Sequence, residues 1–142
     1  MELYPAVVVH GITDARAALR AGRPVTLLSA PGAALHAGCL WWRALVRAVR
    51  VQAPEVPILD VLDCADGSGQ ALAALRVGVT RLVLWPGAPG WAAVEEIASR
   101  EGGFVLAEAP SSLDMAAPDA PRRLDAWLQL RTAPGDRRAP LG

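Results

Sequence analysis

The sequence predicts an α/β domain of three layers, built on a mostly parallel five-stranded sheet. Three observations carry that reading. Short runs of Val, Leu and Ile alternate five times with stretches of helical spacing. Glycines stand where the helical stretches end, as at Gly22 and Gly78. "AALRAGRPVTLLSAPG" (17–32) and "AALRVGVTRLVLWPG" (73–87) also align as an internal repeat, each a helix closed by glycine that feeds a buried strand and ends in Pro-Gly.

Taken in order, strands are expected at 6–10, 24–29, 57–63, 81–85 and 103–107, and helices at 13–21, 35–52, 69–77, 90–101 and 119–131. Thr13 and Asp14 open the first helix, and Asp66 or Ser68 is placed to cap the third. A strand followed by a helix, five times over, calls for parallel strands covered on both faces. Five units are too few for a (βα)8 barrel, which takes roughly 250 residues. An open sheet of flavodoxin-like order 2-1-3-4-5 is therefore expected. Residues 1–131 read as one domain, and 132–142, "TAPGDRRAPLG", as a loose tail with little to bury.

Composition narrows the function. The 142 residues carry 14 basic and 14 acidic groups, a balance that gives no electrostatic reason to expect nucleic acid or an acidic membrane. Every basic residue is arginine, so Schiff-base chemistry and a Walker lysine are excluded. Glu2 stands where a signal peptide would be basic, and no apolar run is long enough to span a bilayer. A soluble, cytoplasmic protein is expected. Cys39 and Cys64 have no zinc spacing and read as free thiols; no metal and no cofactor is expected.

Ligands of open parallel sheets bind beyond the carboxyl ends of the strands, where strand order reverses. In the expected order that point lies between strands one and three. It assembles His10 and Gly11 with Asp63, Cys64, Asp66 and Ser68. His10 reads as a general base oriented by Asp63, or as the activator of a Cys64 thiolate, with the third helix's amides facing an anion. The same residues also fit plain structural roles: Asp66 a helix cap, Cys64 a small hydrophobe, His10 a polar strand end. Asp60, inside strand three, requires an arginine or a ligand if it is buried, or else a shallower register.

The connection "SAPGAALHAG" (29–38) adds Gly32 and His36 as ligand-binding candidates. Its part 30–38 is similar to the "NPGAYTH" segment of type II dehydroquinases at Pro31, Gly32, Ala33 and His36. Ala30 and Ala34 replace that family's asparagine and tyrosine, its other motifs are absent, and no activity is carried over. A receiver domain would need an acidic pair after strand one and a lysine after strand five, and neither is present. In its general plan, residues 1–110 resemble short single-domain α/β proteins of GC-rich bacteria, a likeness that implies a fold and no activity.

On the second helix, Arg43, Arg47 and Arg50 form one stripe, and Trp41, Leu45, Ala48 and Val49 the opposite one. Trp42 and Val46 fall on the flank and are expected to close a homodimer, while Trp91 and Trp127 serve a similar surface or fill the core. Two functions follow: a noncatalytic binding or assembly module that self-associates, and, as the alternative, a small cofactor-independent hydrolase or lyase acting on a small anionic substrate.

Overall fold

The structure, a computed structural model, describes residues 3–130. The expected tail and the last residue of the fifth expected helix lie outside them. In chain order the elements are β1 (Ala6–Val9), α1 (Ile12–Leu19), β2 (Val25–Ser29), α2 (Ala33–His36), α3 (Cys39–Gln52), β3 (Ile58–Asp63), α4 (Ser68–Arg76), β4 (Arg81–Val83), α5 (Trp91–Arg100), β5 (Phe104–Leu106), β6 (Ser112–Asp114) and α6 (Ala120–Leu128). No helix among the described residues is long and apolar enough to cross a membrane.

The strands form a parallel sheet in the order β5-β4-β3-β2-β1-β6. The α/β class and the parallel sheet are as expected, but there are six strands among the described residues, and the order 2-1-3-4-5 is replaced. That order would place β1 between β2 and β3. Here β2 holds the middle, donating main-chain hydrogen bonds to both sides: Thr26 N–H donates to the Pro5 carbonyl and Val25 N–H to the Pro57 carbonyl. Periodicity identifies strands without naming their neighbours, and crossover direction, which decides neighbours, leaves no mark in composition. The sixth strand was missed because it holds a single apolar side chain, Leu113, between two polar ones, whereas the equally short β4 and β5 lie in apolar runs.

The chain divides into two compact units whose boundaries fall inside β2, α3 and β3. Among the described residues the first holds 3–28, 47–60 and 111–130. Its β1 residues are all buried, and β1 pairs in parallel with β6, Ala6 beside Ser112 and Val8 beside Asp114. The Trp127 indole N–H donates to the Ala6 carbonyl at 2.7 Å and fastens α6 to β1. The required partner for Asp60 is also here. Arg50 Nη2 reaches its carboxylate at 2.7 Å, while Nη1 donates to the Ile58 carbonyl. Asp60 is thus buried and paired, as a carboxylate inside a strand must be.

The second unit holds residues 29–46 and 61–110. β3, β4 and β5 pair in parallel, Leu62 with Leu82 and Leu82 with Val105, and Val61, Leu62, Leu82, Val83 and Leu84 are fully buried. The Trp91 indole N–H donates to the Leu84 carbonyl, one residue past β4, so Trp91 and Trp127 each secure a helix to main chain at the sheet. Gly103 is fixed by close approach: a Cβ there would run into the Thr80 carbonyl, just ahead of β4.

Two local expectations change. The single helix expected at 35–52 is broken into α2 and α3 at Gly38, whose φ of 86° lies in the left-handed region. The core stripe of α3 is Trp42, Leu45, Val46 and Val49, at i, i+3, i+4 and i+7, while Ala48 is exposed. The predicted face is rotated by one residue, because Trp41 was placed inside ahead of Trp42. Of the arginine stripe, Arg43 donates to the Val77 carbonyl, Arg50 pairs with Asp60, and Arg47 is exposed.

Candidate functional site

His10 follows β1 at its carboxyl end, and its partner comes from β6. In the parallel register Asp114 stands beside Val8. Side chains two apart on a strand share a face, so continuing the alternation from Val8 to His10 points the imidazole to the side that carries Asp114. The Met115 N–H, bonded to the Val8 carbonyl, carries the ladder one step further. His10 Nε2 lies 2.7 Å from Asp114 Oδ1, and both side chains are open to solvent, at 39% and 52%.

Two further contacts order the pair. Asp114 Oδ1 accepts the Ala116 N–H at 2.9 Å, and Asp14 Oδ2, in the first turn of α1, accepts the His10 N–H at 2.9 Å. The Ala116 amide does most to hold the Asp114 carboxyl below its ordinary value; partial burial pushes the other way, and the hydrogen bond and charge of His10 add to the lowering. Gly11, with extended backbone, leaves open space where a side chain would begin. Strands one to five run in sequence across the sheet, and that sequence breaks only between β1 and β6, the kind of place where open α/β sheets take ligands.

The remaining candidates belong to the second unit, and the structure gives them other work. Asp63 is 3% exposed. Its Oδ1 accepts the Gly32 N–H at 3.1 Å and the Ala65 N–H at 2.9 Å, while its own N–H donates to Ser29 Oγ. It therefore braces the turns after β2 and β3 and does not orient His10, whose carboxylate partner is Asp114. The turn after β3 needs bracing, since Ala65 (φ 50°) is left-handed, a conformation that Gly32 (φ 68°) adopts without steric cost. For alanine that conformation costs roughly 1–2 kcal/mol.

Cys64 is fully buried. Desolvation, then the neighbouring Asp63 charge, then Cys39 push its thiol up to about 12. A thiol so disfavoured as the thiolate is a poor nucleophile at neutral pH. Both cysteines are free.

His36 ends α2 exposed, with Nε2 3.9 Å from where a Gly32 Cβ would stand. Ser68 donates to the Pro89 carbonyl and does not cap α4. Asp66 is exposed and makes no cap either; Gly67 occupies the N-cap position. At Gly67 an added Cβ would press on Leu35 and Gln70 side chains at 2.5 Å. Trp42 and Val46, at 0% and 5% exposed, are core residues, so the expected homodimer patch offers no surface at those positions.

Sequence reasoning missed Asp114 and the main-chain role of Asp14. The signal for Asp114 was "SSLD" after a proline, one apolar residue among polar ones, the pattern of a half-buried edge strand. No family model and no curated relative matches the chain.

Proposed function

We propose that this protein is a small acid–base enzyme of the hydrolase or lyase type, in which His10 takes a proton from the substrate or from a water and returns one to the leaving group. The observation that supports it is the solvent-open His10–Asp114 pair at the carboxyl ends of β1 and β6. A carboxylate bonded to an imidazole holds the ring in place and stabilises the imidazolium formed when the base is protonated. The burial of Trp42 removes the exposed aromatic on which the self-association reading rested. The high thiol of Cys64 argues against a cysteine nucleophile in the alternative.

The surroundings of His10 also change the substrate class. Asp14 and Asp114 both contact this residue, and two carboxylates beside the base repel an anion. A neutral or cationic substrate suits the site better than the anionic one read from the sequence.

The test is a fragment screen followed by two-dimensional NMR, with neutral and cationic esters, amides and hydroxy-carbonyl compounds as the library. Binders are expected to perturb the amides of His10, Gly11, Asp14 and Asp114–Ala116. Turnover of a bound compound should fall about 10²-fold or more in His10→Asn. Binders that leave His10 unperturbed, or turnover indifferent to the substitution, would overturn the proposal.

A further inference from the structure

An imidazole has two nitrogens, and in its neutral form only one is free to take a proton. Resting on the reading of His10 as the base, we propose that Nδ1 is the proton-accepting atom and that Asp114 and Asp14 are positioning residues, one acting on the ring and the other on the main chain.

An ionised carboxylate only accepts hydrogen bonds. With Asp114 Oδ1 at 2.7 Å, Nε2 of neutral His10 must carry the hydrogen, and the ring's lone pair falls on Nδ1. The charged form of Asp114 is the favoured one, since the Ala116 amide and His10 itself hold its carboxyl below the ordinary value. Among the described residues nothing bonds Nδ1.

Asp114 does not drift, because Oδ1 is also fixed by the Ala116 N–H and its strand is registered on β1. Asp14 Oδ2 holds the His10 N–H, so the main chain from which the ring hangs is fixed from α1. The ring is therefore held at both ends.

The hydrogen to be removed must come within about 2.6–3.2 Å of Nδ1, the ring nitrogen left without a hydrogen-bond partner among the described residues.

Diethyl pyrocarbonate tests this without any substrate. The unprotonated ring nitrogen attacks one carbonyl, an N–C bond forms and the anhydride C–O bond breaks. The ring N–H is lost to solvent, and the departing ethyl carbonate decomposes to ethanol and carbon dioxide. Peptide mapping with ¹⁵N NMR then identifies the nitrogen modified. In the wild type the His10 adduct is expected on Nδ1, whereas the exposed His36, whose ring has no hydrogen bond among the described residues, reacts at its less crowded Nε2.

The Nδ1 to Nε2 ratio at His10 should fall from above one to below one in Asp114→Ala. It should stay above one in Asp114→Asn, which keeps an acceptor oxygen. A wild-type adduct on Nε2, or a ratio unmoved by Asp114→Ala in a variant that is folded by circular dichroism, would overturn the assignment. An Nδ1 adduct in a protein whose fragments never bind at His10 would leave the assignment standing and remove the enzyme reading; fragments bound at His10 with an Nε2 adduct would do the reverse.

Discussion

Asp114 and Asp63 both end a parallel strand, and they have opposite fates. Asp63 is 3% exposed and gives one oxygen to two main-chain amides of neighbouring turns. Asp114 has a half-exposed side chain and spends its oxygen on one amide and an imidazole. The contrast shows that a carboxylate at a strand end is not by that position a site. Buried beside left-handed turns it is consumed by backbone donors; open to water beside a histidine it can orient a base.

The sharpest test of the buried side of this contrast is Cys64, next to Asp63. With the thiol pushed up to about 12, its thiolate fraction at pH 8 is on the order of 10³-fold below that of an ordinary cysteine. Iodoacetamide with mass-spectrometric detection should label the half-exposed Cys39 first and reach Cys64 at a comparable rate only in denaturant. Equal labelling in the native protein would place Cys64 in a reactive setting.

Trp42 is next in size. As a fully buried side chain its replacement by alanine should cost about 3–5 kcal/mol of folding stability, read by urea denaturation. A variant of wild-type stability would return Trp42 to the surface.

The two aspartates can then be set directly against each other. Asp63→Ala leaves the Gly32 and Ala65 amides without their acceptor, at about 1–3 kcal/mol for each donor left buried and unpaired. Asp114→Ala removes an exposed pair, and the expected loss is below about 1 kcal/mol. Equal losses would erase the distinction between brace and site.

The smallest effect is in acid. The folded protein holds the Asp114 carboxyl below its ordinary value. A carboxyl lowered on folding adds stability above its unfolded value, and that stability is lost as pH falls through the folded one. The difference in stability between wild type and Asp114→Asn should thus shrink as pH is lowered below the ordinary carboxylate range. It is small because solvent screens the group. A difference that grows in acid would contradict the lowering.

Much of the fold was legible because it depends on local chemistry. The strands β1 to β5 announce themselves by apolar runs, and Gly22 and Gly78 close helices in the left-handed conformation that glycine allows. His10 was legible as a polar residue at a strand end. Its partner was not, since Ser112–Asp114 is too short to show a period and lies 104 positions away along the chain. Asp63 looked equally suitable because residue type and strand-end position say nothing of burial.

By itself, then, the sequence determined the α/β class, the free thiols and the need of any buried Asp60 for a cationic partner, all consequences of periodicity, spacing and the cost of a lone buried charge. Tertiary structure decided the rest: that β2 stands between β1 and β3, that α3 turns Trp42 inward, and that β6 rather than β3 brings a carboxylate to His10. Those outcomes depend on which strand pairs with which. Pairing is a contest among long-range contacts, to which no single segment holds the answer.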